Sequence, residues 1–333
     1  FIRRELDQLR RREWPVYTRL LNGGVDPLAF SLLSCPEGFR WRFFRAAATR
    51  LTAEILRSPR MVLGLLVRLP QAAQLTRQVV ETDSILIHAH FAGIAADIAA
   101  LAARALGRPW TCSVHARDVF AAPPARLRRR LCSAACVTAC SQAAADAVIA
   151  AGVPRERVSV ICHGLPLRDY PFNTIQPEGR LFAACRLEPK KGVDTLVRAC
   201  ALLRERGLHF ECAIAGSGAL HDSLAALARE LKVSDRVAFP GWLSPEEVRS
   251  RITDASVVAL PSRRTRDGDR DGISNMLLEA MALGTPVVTT AAGAAGEVIT
   301  DAVNGLLVPP DDPPRLADAL AALLTSKTLR ARL

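Results

Sequence analysis

No lysine occurs among the first 172 residues of this 333-residue chain, no apolar run is long and charge-free enough to span a bilayer, and no stretch reads as a secretory leader. The nearest approach to a span, Met61 to Leu69 (MVLGLLVRL), falls short of the about 20 residues a crossing helix needs and carries Arg68. A cytoplasmic chain is therefore expected. There is no G-x-G-x-x-G after a first strand with an acid about 20 residues on, which sets aside a nicotinamide-dependent oxidoreductase. No D-x-D stands near a strand end: Asp267-Gly268-Asp269 has the letters but lies in the charged loop Arg263 to Arg270 (RRTRDGDR). Cysteine is not scarce, yet its pattern excludes much. The nine are odd in number and scattered, and Cys132, Cys136 and Cys140 follow helical spacing with no neighbouring His or acid to complete a metal site. With Cys112, Cys162, Cys185 and Cys212 falling in predicted strands, the expectation is buried, reduced thiols.

Charge is present, but on one side only. Residues 1–172 hold 24 arginines against 13 carboxylates, a net +11, whereas the remainder balances at 20 against 20. Such asymmetry points to an anionic partner. The Arg126-Leu127-Arg128-Arg129-Arg130 cluster has no interleaved aromatics and belongs to no nucleic-acid motif, so an anionic membrane surface is the expected partner, with a solvated arginine-rich face as the alternative.

The length suits two domains. The chain opens in an amphipathic helix with Ile2, Leu6 and Leu9 on one face; Pro15 to Thr18 reads as a strand, Asn22 to Glu37 as turns, and Phe43 to Val80 as helices broken at Pro59 and Pro70. Strands are then predicted at Ser84–His88, Trp110–Val114, Val137–Ala139 and Val158–Ile161, with a helix from about Ile94 to Leu106. After Asp169 to Gly179 (DYPFNTIQPEG), the best linker, a second series begins. Its strands are Arg180–Ala184, Phe210–Ala215, Val237–Phe239, Ser256–Leu260 and Val287–Thr289, and its helices Asp194–Arg206, Leu220–Leu231, Pro245–Thr253 and Pro314–Leu324. This rhythm predicts an α/β protein of two doubly wound, Rossmann-like domains, 1–172 and 173–333, facing across a cleft. Ligands of such sheets bind at the carboxyl ends of the strands.

The most informative stretch is Asp271 to Val288, DGISNMLLEAMALGTPVV: a polar loop, a helix ended by Gly284, then a strand. The loop and helix tip offer backbone N–H groups and a positive dipole to a phosphate. Glu279 stands alone among Leu, Met and Ala; a ribose diol would partner its carboxylate, and equally Asp271 or Asn275 could cap the helix with Glu279 at its solvent edge. Arg186-Leu187-Glu188-Pro189-Lys190-Lys191-Gly192 follows a strand, where its cations could neutralise a diphosphate or form an exposed basic loop. Gly216-Ser217-Gly218 suits either an approaching nucleotide or an ordinary strand-to-helix turn.

Acid, seven residues, Glu279 and then AMALGTPVV resembles the nucleotide-sugar signature of the retaining glycosyltransferases of family 4, which have the GT-B fold. That family usually opens with Glu where this chain has Asp271, and the DGISN variant resembles its branch for bacterial exopolysaccharide, colanic-acid-like and lipopolysaccharide sugars. The resemblance covers about Ile85 to Leu324. It implies a strand before Phe1, and a retaining hexosyltransferase using a UDP- or GDP-sugar on a glycan or polyprenyl-linked acceptor, peripheral on the inner face of the cytoplasmic membrane. A non-catalytic nucleotide-sugar-binding or assembly protein of the same fold is the alternative. The family pattern puts Arg186 and Lys191 on the diphosphate, with Lys190 at a position often basic. His115, in an H-A-x-D element with Asp118, contacts the transferred sugar. Asp271 meets the sugar hydroxyls and Glu279 the ribose. Gly272, Ile273, Ser274 and Asn275 meet phosphate and sugar, and Gly216, Leu278 and the backbone at Leu243 complete the donor site. Glu297 pins a loop beneath it, and His88 and His90 line the acceptor side. No metal and no cofactor are expected.

Overall fold

The computed structural model describes residues 41–42, 45–48, 59–173 and 177–333, with side chains from Arg68 onward in its first long helix. The opening helix through Ile2, Leu6 and Leu9, the strand at Pro15 to Thr18 and the turns from Asn22 to Glu37 lie outside the described residues. The chain forms two compact units, Phe1–Cys112 with Ser133–Cys136, and Ser113–Cys132 with Val137–Leu333.

In the first unit a 23-residue helix, α1 (Pro59–Glu81), runs straight through Pro70. The expected break is absent, although an internal proline removes a hydrogen bond and costs about 3 kcal/mol. Ala72, Ala73 and Thr76 are fully buried; the two alanines pack with Ile98, Leu101 and Ala105 of α2 (Ile94–Leu106), which offsets that cost. The strand β1 (Ile87–His90) begins later than expected, because Ile87 and Ala89 alternate with exposed His88 and His90, leaving Ile85 and Leu86 exposed. It heads a sheet ordered β1-β2-β3-β4, with β2 (Trp110–Val114), β3 (Cys136–Ala139) and β4 (Val158–Val160). The helices α3 (Ala116–Phe120), α4 (Pro124–Leu131) and α5 (Gln142–Ala150) lie along this part of the chain.

The rest of the second unit alternates strand and helix: β5 (Arg180–Ala184), α6 (Val193–Glu205), β6 (Glu211–Ala215), α7 (His221–Glu230), β7 (Val237–Gly241), α8 (Pro245–Thr253), β8 (Val257–Leu260), α9 (Asn275–Leu283), β9 (Val287–Thr290), β10 (Leu306–Val308), α10 (Pro313–Thr325) and α11 (Lys327–Arg332). Its sheet is parallel in every pair and ordered β10-β9-β8-β5-β6-β7. Strands β8 and β9 are buried along their whole length, as strands of a parallel sheet covered on both faces should be. Leu181, Ile214, Val258 and Val288 from the sheet pack with Leu196, Leu203, Leu277 and Leu320 from the helices in one core. Strand order reverses between β5 and β8, and ligands of such parallel sheets bind at this switch point, beyond the carboxyl ends of the strands.

The thiols are less uniformly buried than expected. Cys112, Cys200 and Cys212 are buried, but Cys132 and Cys162 are exposed, the latter because it lies beyond the end of β4. Among the described residues no helix is long and apolar enough to cross a membrane.

Candidate active site

Four loops meet at this switch point, and glycine decides how closely. A Cβ on Gly216 (φ +128°) would lie 1.8 Å from the carbonyl oxygen of Cys185, and one on Gly218 would lie 2.5 Å from that of Leu187. The loop after β6 is thus laid backbone on backbone against the loop after β5, bonded by Leu187 N–H to Ser217 O at 2.9 Å, while Gly216 N–H donates to Gly241 O at the end of β7 at 2.7 Å. This close approach, rather than room for a ligand, is what demands glycine at Gly216. Gly192 (φ +63°) meets the loop after β8 in the same way, its absent Cβ 1.9 Å from Pro261 O, and a Cβ on Gly293, in the loop after β9, would lie 2.2 Å from Asp271 O.

Held this way, the loops after β5 and β8 exchange charge across the switch point. Lys191 Nζ donates to Asp271 Oδ2 at 2.7 Å, and Ser262 Oγ donates to the same oxygen at 2.7 Å. The two charged side chains are only 13% and 12% exposed. Beneath them Lys190, 5% exposed, reaches both carboxylate oxygens of Asp269 at 3.1 and 3.2 Å and stands 4.0 Å from Asp271 Oδ1. Arg263 N–H donates to Lys190 O at 2.8 Å, and its guanidinium holds Asp194 at 2.5 Å and Asp311 at 2.9 Å. Thr289 and Thr290 at the end of β9 bond the carbonyls of Leu260 and Ser262. Lys190, Lys191 and Ser262, from the loops after β5 and β8, therefore converge on Asp271 where the strand order reverses. Burial pushes the nearby Cys185 thiol up to about 11, against the pull of Lys191, so it stays a neutral thiol.

The helix tip differs from expectation in its cap. Ser274, not Asp271 or Asn275, is the N-cap of α9, and no side chain caps it; Asp271 is turned to Lys191 instead. A helix tip with no side-chain cap keeps early N–H groups directed at a ligand position. Gly284 ends α9 in the left-handed region (φ +80°), as read, and has a second reason to be glycine: Asn173 O and the Phe172 ring would lie 2.8 Å from its Cβ.

Of the residues singled out from sequence, the structure brings Lys191 and Asp271 into direct contact. Arg186, on the loop of Lys191, is 59% exposed and bonds Glu188 at 2.6 Å. Gly272, Ile273, Ser274 and Asn275 form the half-buried approach to α9, with Leu278 and Glu279 half-buried on it. Leu243 follows β7 and packs on the core while Trp242 beside it is exposed. His115 follows β2 directly, its N–H donating to Asp118 Oδ2 at 3.1 Å. A Cβ on Gly272 would stand 3.5 Å from that of Ala116 and 3.8 Å from Cys140 Sγ, so the loop after β8 touches the strand ends of the other sheet within this unit. Arg270 stacks over Phe120 at 4.0 Å, and Thr265 laces the Asp267-Gly268-Asp269 loop, its hydroxyl donating to Asp267 Oδ1 at 2.5 Å. His88 and His90 stand edge to face at 4.9 Å on β1, and His88 Nδ1 meets Thr111 Oγ1 at 2.7 Å.

Sequence reasoning missed Ser262 and the buried role of Lys190, since a lone serine after a strand carries no signal. It read Glu297 as a loop pin, and that carboxylate accepts from Gln142 N at 2.7 Å and Ala143 N at 2.8 Å, the first N–H groups of α5. Glu297→Ala should cost about 1 kcal/mol, read as a lowered midpoint in urea, with Glu297→Gln between the two.

Comparison with known proteins places these features. Residues 32–169 match the model described as Glycosyltransferase Family 4, and residues 173–333 match the one described as Glycosyl transferases group 1. The chain is 34% identical over 174 residues to a putative colanic acid biosynthesis glycosyltransferase, WcaL, of Escherichia coli K12, covering 51% of this chain and 43% of that one. It is 33% identical over 180 residues to the amylovoran biosynthesis glycosyltransferase AmsK of Erwinia amylovora, covering 53% and 43%. The matches thus span less than half the length of these relatives. Anabaena Alr3699/HepE, solved in complex with UDP and glucose, shares the fold with a TM-score of 0.66 at 24% identity, over 79% of this chain and 75% of that one. The chain belongs to the family 4, group 1 glycosyltransferases and has their GT-B fold.

Proposed function

We propose that the chain is a retaining hexosyltransferase that moves a sugar from a UDP- or GDP-sugar to a glycan or polyprenyl-linked acceptor in cell-surface polysaccharide synthesis. The observation that carries this reading is the buried Lys191–Asp271 pair beside the α9 tip that no side chain caps, at the switch point of the parallel sheet. Departure of a diphosphate builds negative charge on the leaving oxygen, and preplaced N–H groups and cations lower the barrier because they act most strongly on that developing charge. Lys191 and Arg186 supply the cations and the α9 tip the N–H groups, in place of a metal. Asp271 orients Lys191 and meets the sugar hydroxyls, His115 contacts the sugar, and Glu279 accepts from the ribose diol. The acceptor hydroxyl attacks the face that the diphosphate leaves. Relatives named for colanic acid and amylovoran biosynthesis support the acceptor class.

A UDP- or GDP-sugar at 100 times its Kd should stabilise the chain by about 2.7 kcal/mol, seen as a raised melting temperature. Glu279→Ala should raise donor KM by about tenfold or more, the worth of a charge-assisted pair of hydrogen bonds; unchanged KM rejects the ribose assignment. Radiolabelled transfer to an extracted lipid-linked acceptor separates a transferase from a protein that only binds the donor. The basic half docks the chain on an anionic membrane surface from the cytoplasmic side. Arg126 and Arg128 on α4 are exposed for that contact, while Arg129 and Arg130 are half-buried. Flotation with phosphatidylserine vesicles, abolished by high salt, tests it.

A further inference from the structure

The cysteines were expected to have no histidine near enough to share a metal, and the fold overturns this for Cys140. His115 follows β2, Cys140 follows β3 and His163 lies three residues after β4, so the chain leaving three neighbouring strands delivers them to one end of the sheet. One ligand atom from each lies within 4.8 Å of the other two, and the imidazoles of His115 and His163 stand edge to face at 5.4 Å. All three side chains are half-buried. Among the described residues no other three His, Cys, Asp or Glu side chains gather in this way.

Two imidazoles and a thiolate are borderline-soft ligands, suited to Zn²⁺ or Co²⁺ and unsuited to Mg²⁺ or Ca²⁺, which take oxygen. Around a tetrahedral ion with bonds of about 2.0–2.3 Å the ligand atoms stand roughly 3.3–3.8 Å apart. Side-chain rotations of about an ångström close the present spacing, and three ligands leave a fourth position for water. Gly272, whose Cβ would come to 3.8 Å of Cys140 Sγ, places this cluster directly against the loop that carries Asp271.

We propose that His115, Cys140 and His163 form a site for a Zn²⁺-class ion, and that the bound ion inhibits transfer by occupying His115. Binding exchanges the Cys140 S–H bond for a metal–sulfur bond and releases one proton to solvent. The inhibitory half rests on the transferase reading; the binding half does not.

The test is Co²⁺ titration of the full chain without nucleotide, read by the thiolate-to-cobalt charge-transfer band in the near ultraviolet and the ligand-field bands in the visible. One equivalent should bind with both sets of bands. Cys140→Ser should lose the charge-transfer band while keeping the circular dichroism of the parent, and His163→Gln should weaken binding by about tenfold or more. Absence of the band in the parent, or its persistence in Cys140→Ser, overturns the site; if Cys140→Ser does not fold, unchanged affinity in His163→Gln overturns it. Micromolar Zn²⁺ should then abolish transfer by the parent and spare Cys140→Ser. Equal inhibition of both, or activation, overturns the regulatory half. A chain that binds Co²⁺ through Cys140 but neither binds nor transfers a sugar nucleotide sinks the transferase reading, and with it the inhibition, while leaving the metal site standing.

Discussion

Lys191→Ala should lower kcat by about two to three orders of magnitude and destabilise the chain by about 3 kcal/mol. On the proposed transferase reading, the kinetic loss follows from removing a cation that faces the leaving diphosphate. The stability loss follows from the partner left behind: Asp271 is 12% exposed, and without Lys191 its carboxylate keeps the Ser262 hydroxyl at 2.7 Å and Lys190 at 4.0 Å. Those contacts place the cost at the low end of the range for breaking a buried pair. Asp271→Asn preserves shape and should cost less in stability while still impairing turnover. The double variant should be more stable than the sum of the single losses, because neither leaves an isolated charge once the other is gone. Additive losses in urea melts would show that the pair is not coupled. Loss of stability with unchanged kcat would make it a scaffold and not part of the chemistry.

The second large effect is structural. Gly216→Ala should cost more than about 4 kcal/mol and lower the melting temperature by about 10 °C, or prevent folding. Its Cβ would lie 1.8 Å from Cys185 O, and that atom is backbone held by the Cys185 N–H bond to Ala215 O at 3.0 Å, so it cannot swing aside. Gly207 supplies the contrast, since it also has positive φ (+71°) but no atom within 4 Å of where an alanine methyl would sit. Gly207→Ala should therefore show only the left-handed strain of about 1–2 kcal/mol. Equal melting of the two variants would mean that the loops after β5 and β6 are not packed as described.

Much of the fold could be read locally because parallel strands and their helices advertise themselves by composition. Trp110–Val114, Arg180–Ala184, Ile94–Leu106 and Pro245–Thr253 occur where hydrophobic runs, turns and caps put them; Ser244, bonded with Glu247, forms the capping box that starts the last of these. Short or conflicted elements were not legible. The three-residue β10 (Leu306–Val308) is too brief to carry a period, and α1 runs through Pro70 because packing against α2 overrides a local penalty that sequence reasoning counts in full.

The candidate site divides in the same way. Its residue types were legible: a basic loop after one strand, an acid and a glycine before a helix, a glutamate on that helix and a histidine closing a strand. Which groups pair with which was not. Asp271 finds Lys191 across 80 positions, Glu297 finds the start of α5 across 154 and 155, and Cys140 finds His115 and His163 only because three strands align. Residue order along the chain was enough to establish the family, the strand–helix rhythm and the chemical inventory, since each is encoded in spacings of a few residues. The ion pairs, the uncapped helix tip and the cysteine–histidine cluster came only from the folded arrangement, since these depend on the order of strands in a sheet, which local spacing does not encode.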